Sequence, residues 1–203
     1  MSRFELLGKV PRTVVLAISG GVDSVAVLDF LSKNHELVGL HINHNEGNSD
    51  ETEEFVRSLA SKYQIPLNVV RISEPKPKQY SREEWWSINR YKTFHALEDI
   101  PVVTCHHLDD CVETWVYSSL NGNPSIIPYR NKNVIRPFLL NRKSVFIDWC
   151  LSRGLTWIED ESNQDLSHKR NYVRKILMPS CLEVNPGLHT VVRKKVILNN
   201  QNR

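Results

Sequence analysis

Four short apolar runs, each followed by a stretch with helical spacing, constrain this 203-residue chain more than any other feature. Thr13–Ser19 (TVVLAIS) is β-branched, lacks polar alternation and ends at a double glycine, the pattern of a strand buried on both faces. Leu37–Ile42, Leu67–Ile72 and Pro101–Thr104 repeat the theme. Between them, Asp23–Ser32 carries Val25, Leu28 and Leu31 at helical spacing. Asp50–Tyr63 sets Phe55, Leu59 and Tyr63 four apart behind an acidic first turn. Ser81–Leu97 opens on a capping serine and carries Trp85, Ile88 and Leu97, and Asp109–Leu120 completes the fourth pair. Strands alternating with helices in this way predict an α/β fold built on a doubly wound parallel sheet. Glu74–Lys78 and Asn121–Lys132 read as breaks, Val134–Arg136 as a last short strand and Lys143–Arg153 as a helix ending at Gly154. A helix over His168–Leu177 is expected to stop at Pro179, with a short helix after Pro186.

Hydrophobic residues make up 40% and charged residues 24%, which excludes a disordered chain, a collagen-like repeat and a coiled coil. No apolar run approaches a membrane span, and Met1–Pro11 has no signal-like hydrophobic region. The four cysteines form no CxxC pair. The expectation is a soluble cytoplasmic protein with reduced thiols and no membrane partner; a homodimer is allowed for. The net charge of +3 is unevenly spread, since His168–Arg203 holds eight Lys and Arg against the single acid Glu183. That end suits a polyanion, or is a solvated basic helix.

Two clusters carry chemistry. Ser19-Gly20-Gly21-Val22-Asp23-Ser24 lies between the first strand and its helix. Two glycines let backbone N–H groups approach an anion, the serines add hydroxyls, and the helix N-terminus adds partial positive charge. The loop is not a Walker A motif. Asp23 repels phosphate unless a divalent cation bridges them, so a Mg²⁺ on Asp23 is expected; a plain strand–turn–helix corner with a capping Asp is the structural alternative. The second cluster, Cys105-His106-His107-Leu108-Asp109-Asp110-Cys111-Val112-Glu113-Thr114, follows the fourth strand at the sheet edge where parallel sheets bind ligands. Asp110 and Glu113 share a helix face, where they can hold a cation, bind a substrate ammonium or take a proton from an amine. His106 and His107 are placed to contact nucleotide or move protons near neutral pH. Zinc is the competing idea, weakened by adjacent histidines and the lack of a ligand-spaced partner pair; a solvated helix start is the other.

SGGVDS resembles the phosphate loop of the ATP pyrophosphatases, a group that includes GMP and NAD synthetases and tRNA thiolases. Further motifs narrow the resemblance. Ile135-Arg136-Pro137-Phe138-Leu139 leads to Gly154-Leu155-Thr156-Trp157, then to Glu159-Asp160-Glu161-Ser162-Asn163 and Arg170-Asn171-Tyr172-Val173-Arg174. With the HINH segment His41–His44 and HHLDDxxET, these resemble in order and spacing the catalytic domain of the tRNA(Ile)-lysidine synthetases, from about Val14 to Pro179.

The resemblance implies a Rossmann-like doubly wound parallel sheet of the adenine nucleotide alpha hydrolase type, with a small helical C-terminal extension. It implies a PP-loop ATP pyrophosphatase catalytic domain over 1–179 and a short basic tail over 180–203. It implies ATP and Mg²⁺ as cofactors, and tRNA(Ile) with a CAU anticodon and free lysine as partners. ATP would activate the carbon-2 oxygen of the wobble cytidine, and lysine would displace AMP to leave lysidine. By the same resemblance, Ser19, Gly20, Gly21, Val22, Asp23, Ser24, His41 and Asn43 would bind ATP. Asp23, His106, Asp110 and Glu113 would be catalytic, with Asp110 and Glu113 also binding lysine. Arg90, Arg170 and Arg174 would meet tRNA phosphate or the activated base, and Arg193, Lys194 and Lys195, beyond the resemblance, are expected to bind tRNA from their charge alone. Salt bridging within the C-terminal helix is the alternative for the helical arginines.

The chain departs from the family at several points. Asn45-Glu46-Gly47-Asn48 replaces a Leu-Arg loop, Cys111 a glutamine, Asn121-Gly122 an Arg-Gly, Ser87 an arginine, and Trp85-Trp86 small residues. Trp85 and Trp86 are expected in the core, with stacking on an anticodon base as the alternative. Most relatives continue into a domain that grips the acceptor stem. With only Arg193, Lys194, Lys195 and Arg203 in its place, the expectation is weak, strongly salt-dependent tRNA binding or a compact tRNA target. Two other readings stand: a thiolase acting on another tRNA base through Cys105 and Cys111, and a catalytically idle nucleotide- or RNA-binding module.

Overall fold

The computed structural model describes residues 3–159 and 169–201. The expected parallel sheet is present. β1 (Thr13–Ala17) pairs in parallel with β2 (Glu36–Asn43) on one side and β4 (Val102–Val103) on the other. β2 continues outward to β3 (Leu67–Arg71), and β4 pairs in parallel with β6 (Val134–Ile135). The order is β3-β2-β1-β4-β6-β5. The chain therefore winds outward from β1 through β3, returns to β4 and opens a crevice between the carboxyl ends of β1 and β4.

One strand was not foreseen. β5 (Arg130–Asn131), inside the stretch read as a break, pairs antiparallel with β6 and closes that edge. Two exposed polar residues carry no periodicity, so only the turn at Lys132 (φ 54°) and the pairing define the strand.

Alternation along β1 divides the core. Val14 and Leu16 face α1 (Val22–Leu31), α2 (Ser49–Lys62) and α5 (Lys143–Leu151), together with Val25, Leu28, Val56, Phe146 and Trp149. Val15 faces the other way, toward Phe94 of α3 (Arg82–His95), with Leu40, Val102 and Val134. α1 is apolar nearly all round because it is wedged between sheet and α5; Val25, Ala26, Val27, Leu28 and Leu31 are all inaccessible. At Gly39 of β2 a Cβ would lie 2.8 Å from Leu67 Cδ1, so the leucine end packs directly over the strand backbone.

A separate apolar cluster joins α4 (Leu108–Leu120) to the C-terminal helices. Cys111, Val112 and Val116 pack with Val173, Met178, Leu188, Val192 and Val196. The helix beginning at Lys169 does not stop at Pro179. α6 (Lys169–Tyr172) passes into a π-helical stretch, Val173–Leu177, and then α7 (Met178–Val184). The Met178 N–H reaches back to the Val173 carbonyl, and this widened turn receives a proline that has no N–H to place and whose ring would crowd a regular α-turn. α8 (Leu188–Gln201) is the helix expected after Pro186, and it lies against α4 rather than trailing from the body.

A buried acid fixes the loop after β2. Glu53, 2% exposed, accepts hydrogen bonds from the Asn43 amide and from the guanidinium groups of Arg57 and Arg71. Arg71 above all, then Asn43, hold its carboxyl down to about 2 despite burial. Because this acid titrates lower in the folded chain, its stabilisation is complete above its ordinary value of 4.5 and is lost as pH falls toward 2. Glu53→Ala should cost about 1–2 kcal/mol at neutral pH by removing the acceptor shared by Asn43, Arg57 and Arg71, a cost limited by the exposure of the two arginines. Urea midpoints of parent and variant should converge as the pH approaches 2.

Candidate active site

The glycine loop is built around one hydroxyl. Ser24 Oγ accepts from the Ser19 and Gly20 N–H groups at 3.2 and 3.1 Å and donates to the Gly21 carbonyl at 2.9 Å. Gly20 sits at φ 86°, and a Cβ there would come within 3.1 Å of Thr52 Cγ2, so the turn requires glycine. Gly21 is the N-cap of α1 and has no side-chain cap, which leaves the helix N-terminus open to an external anion. Val22 is buried in the core and offers only backbone to the loop. From the far side, the Ile158 N–H donates to the Gly20 carbonyl at 3.0 Å, so the segment after Trp157 lies on the phosphate loop. The following motif, Asp160-Glu161-Ser162-Asn163, lies outside the described residues.

Asp23 faces the crevice. Its Oδ1 is buried without a hydrogen-bond partner, 3.7 Å from His107 Nε2, and its Oδ2 lies 3.8 Å from Lys143 Nζ. Burial raises its pKa, against the pull of His107 and Lys143. An orphaned, desolvated carboxylate oxygen beside a phosphate cradle is the donor a Mg²⁺ ion would complete.

Across the crevice, α4 starts with a capping box: His107 Nδ1 accepts from the Asp110 N–H, and Asp110 Oδ2 accepts from the His107 N–H at 2.9 Å. His107 is thus the pivot between the two loops. Asp110 and Glu113 share one face of α4 and are 8% and 6% exposed. Both are held by arginines from the C-terminal helices. Arg170 reaches Asp110 Oδ1 at 2.8 Å, and Arg174 grips both Glu113 oxygens at 2.7 and 2.9 Å. Burial pushes the Asp110 carboxyl up, but His107, Arg170 and His106 more than offset it, so it is ionised throughout the neutral range. The ion pairs therefore run from α6 and the π-helical stretch to α4, a long-range arrangement different from bridging within the C-terminal helix.

The remaining candidates divide. His106 bonds to Thr104 Oγ1 through Nδ1 at 2.9 Å, and burial drives its pKa down to about 3. It is a neutral imidazole at pH 7, suited to hydrogen bonding rather than to supplying a proton. His41 is 3% exposed; its Nδ1 donates to the Ile18 carbonyl, which leaves Nε2 as a buried acceptor without a partner. Asn43 is fully engaged: its amide donates toward Glu53 and Asp50, and its oxygen accepts from the Asn45 N–H. Arg90 is exposed on α3. On α8, Arg193 is paired with Glu5, Lys195 lies over the Trp115 ring and Lys194 is exposed.

Sequence reasoning missed Lys143 and the capping role of His107. Lys143 is the first residue of α5, where its N–H donates to Asp109 Oδ2, and only the fold brings its ammonium to Asp23. It also missed Arg136, a 3% exposed arginine that donates to the Tyr91 hydroxyl at 2.7 Å and the Pro128 carbonyl at 2.8 Å. It was read only as the end of a short strand, Val134–Arg136, not as a buried guanidinium tying α3 to β6.

A phosphate loop after β1 and an acidic helix after β4, meeting across a topological switch point, define a nucleotide-binding α/β domain. A family model described as the PP-loop domain matches residues 3–181, and the chain belongs to that family of ATP-using domains. It is 30% identical to the tRNA(Ile)-lysidine synthase of Haemophilus ducreyi over 210 residues, covering 96% of this chain and 49% of that protein. It is 34% identical to the enzyme of the same name from Porphyromonas gingivalis over 195 residues, covering 87% of this chain and 42% of the other. The chain thus spans just under half the length of these curated relatives. In fold it is similar to the U34-tRNA thiolase NcsA from Methanococcus maripaludis, with a TM-score of 0.74 at 15% identity over 93% of this chain and 71% of that one. An NH₃-dependent NAD synthetase from Campylobacter jejuni gives a TM-score of 0.54 at 15% identity, covering 96% and 87%. Among the described residues, no helix is long and apolar enough to cross a membrane.

Proposed function

We propose that this domain uses ATP to join free lysine to carbon-2 of the wobble cytidine in a tRNA(Ile) with a CAU anticodon. The observation that carries this reading is the Asp110–Glu113 pair: two buried carboxylates, facing a phosphate loop, in a chain 30–34% identical to tRNA(Ile)-lysidine synthases.

The reaction divides into two steps. In the first, the carbon-2 oxygen of cytidine attacks the α-phosphorus of ATP, the bond to the β-phosphate breaks, and pyrophosphate leaves. Ser19, Gly20, Gly21 and Ser24 hold the phosphates with backbone N–H and hydroxyl groups, and the N-terminus of α1 offsets their charge. Lys143 supplies a mobile cation to the departing pyrophosphate. Mg²⁺, held by Asp23, would neutralise phosphate charge when bound. His41 presents its Nε2 acceptor toward the nucleoside, while Asn43 fixes the neighbouring loop through Glu53.

In the second step the ε-amine of lysine attacks carbon-2, and the bond to the AMP oxygen breaks. Asp110 and Glu113 bind the incoming ammonium and take the proton that the amine must lose. Arg170 and Arg174 pair with these carboxylates, so a cationic substrate would exchange with them. The freed guanidinium groups then meet RNA phosphate, a partner of opposite sign. Arg90 lies on the same side, and Arg193, Lys194 and Lys195 extend the basic surface along α8.

A thiolase reading finds less support. Burial pushes the thiols of both Cys105 and Cys111 up, so neither is a thiolate near pH 7. Purified protein should transfer radiolabelled lysine to CAU-anticodon tRNA(Ile), with ATP and Mg²⁺, and not to CAU methionine tRNAs. Cys105→Ala should retain the transfer. Absence of label in any RNA, with AMP still formed, would transfer the reading to another nucleophile.

A further inference from the structure

Beside the crevice lies a concavity that the chemistry above does not use. The segments following β2 and β3 and the first turns of α3 enclose a cavity of about 190 Å³ lined by His44, Glu46, Glu74, Lys76, Trp85 and Trp86. Neither tryptophan belongs to an apolar core cluster, so the expectation of core packing fails. Both are half-buried, and each already takes part in an aromatic pair. His44 stacks on Trp86 with centroids 4.9 Å apart and planes 24° apart, and Tyr80 lies 6.1 Å from Trp85 at 22°. Aromatic faces at the wall of a polar cavity are a platform for a planar ring.

Charge and position restrict which ring. Glu46, Glu74 and Lys76 line the cavity, so its lining is mixed in sign with an excess of one acid, while the partners of the two acids, Arg82 and Lys92, hold positive charge at its border. An uncharged heteroaromatic ring inside, joined to a phosphate outside, satisfies both. Arg82, Trp86 and Arg90 recur at four-residue intervals and share one face of α3, with the Arg82 guanidinium 6.0 Å from the Trp86 ring centre. Arg90 is close enough to Arg170 for their charges to repel, and Arg170 is bound to Asp110. A basic and aromatic track therefore runs from the cavity to the carboxylate pair. The cavity lies beyond β2 on the side away from β1, whereas His41 turns toward Ile18 of the phosphate loop.

We infer that this cavity receives an unpaired base of the RNA substrate, next to the nucleotide that reacts, with Trp86 and Trp85 as its stacking wall. The inference rests on the reading of the crevice as an RNA-modifying site. It gives this chain a contact to single-stranded RNA at residues outside the crevice. The base is unpaired because a cavity of this size admits one ring and not a base pair. Arg82 and Arg90 follow the sugar-phosphate backbone from that base toward Asp110.

The test uses the full chain with Mg²⁺-ATP and a CAU anticodon stem–loop, titrated at one fixed salt concentration. Trp86→Ala should raise the RNA Kd about fivefold to a hundredfold, the range of one lost base–aromatic stack. Trp86→Phe should restore most of the affinity, and the ATP Kd should be the same in all three proteins, which also reports intact folding. Replacing each loop nucleotide by an abasic one should reveal a position whose loss weakens the parent but not Trp86→Ala. An RNA Kd unaltered by Trp86→Ala would overturn the inference while leaving the RNA reading in place. So would an ATP Kd weakened as much as the RNA Kd, which would assign the cavity to the adenine of ATP. A parent protein that binds ATP but not the stem–loop would overturn the RNA reading and the cavity's occupant together.

Discussion

Asp23→Asn will cut ATP turnover by about a hundredfold to a thousandfold and leave the chain at least as stable as its parent. Asp23 carries a buried oxygen with no hydrogen-bond partner, and burial outweighs the attraction of His107 and Lys143 in setting its pKa above the ordinary 3.8. An acid whose pKa is raised on folding favours the folded state most when protonated. Its ionised form works against folding as pH rises from 3.8 through the raised value and above. Asparagine keeps the volume and removes the charge, so thermal unfolding at neutral pH should occur at the same temperature or slightly higher. In function the loss should be on the order of 10²–10³-fold in pyrophosphate release, the size of removing one electrostatic contributor to a transition state. That opposition of stability and activity is the signature of a group retained for chemistry. Turnover within about tenfold of the parent, or marked destabilisation, would assign Asp23 to capping instead.

Glu113→Gln separates the two half-reactions. Glu113 is 6% exposed and receives Arg174 through two hydrogen bonds, with Arg170 Nε at 3.5 Å. Removing its charge leaves the partly buried Arg174 guanidinium with a neutral amide and the more distant Asp110 Oδ1 at 3.7 Å as partners. A fully buried pair broken this way costs about 3–5 kcal/mol, and the partial exposure of both arginines lowers the expectation to about 2–3 kcal/mol. For a chain of this length that is a fall in Tm of about 4–12 °C. Lysine transfer should drop by about 10²–10³-fold, because the ammonium loses a carboxylate and the amine an acceptor for its proton. RNA adenylation should alter by less than about tenfold. Combining Glu113→Gln with Arg174→Met should recover part of the stability and none of the lysine transfer. Equal losses in the two half-reactions would show that the pair only holds the C-terminal helices in place.

What could be read from the sequence follows from the range of the interactions. Thr13–Ser19 and the glycines after it carry local information: a doubly buried strand and a turn that only glycine can make, as Gly20 at φ 86° confirms. The helix bearing Asp110 and Glu113 could also be placed, since a spacing of three fixes a shared face. Their partners could not. Arg170 and Arg174 lie about sixty residues away in sequence, and the charge of a C-terminal stretch says nothing of which acids it meets. Lys143 is similar: its ammonium reaches Asp23 only because α5 packs on α1. At Pro179 a sound local rule yields to the wider turn before it. Cys111, read as a departure from the resembled family, is fully buried on the core face of α4, so it shapes the core rather than the crevice. The tryptophans misled because size and apolarity predict full burial, while these two line a polar cavity half-buried.

The central claim is that an adenylated RNA stands between ATP and lysine, and ATP labelled at the α-phosphate tests it directly. Incubated with the protein, Mg²⁺ and CAU-anticodon tRNA(Ile) but no lysine, label should appear on the RNA. Adding unlabelled lysine should then release it as AMP, at a rate that Glu113→Gln slows and Asp23→Asn makes unobservable for want of labelled RNA. Label that never reaches RNA, or that remains there after lysine is added, would contradict the account.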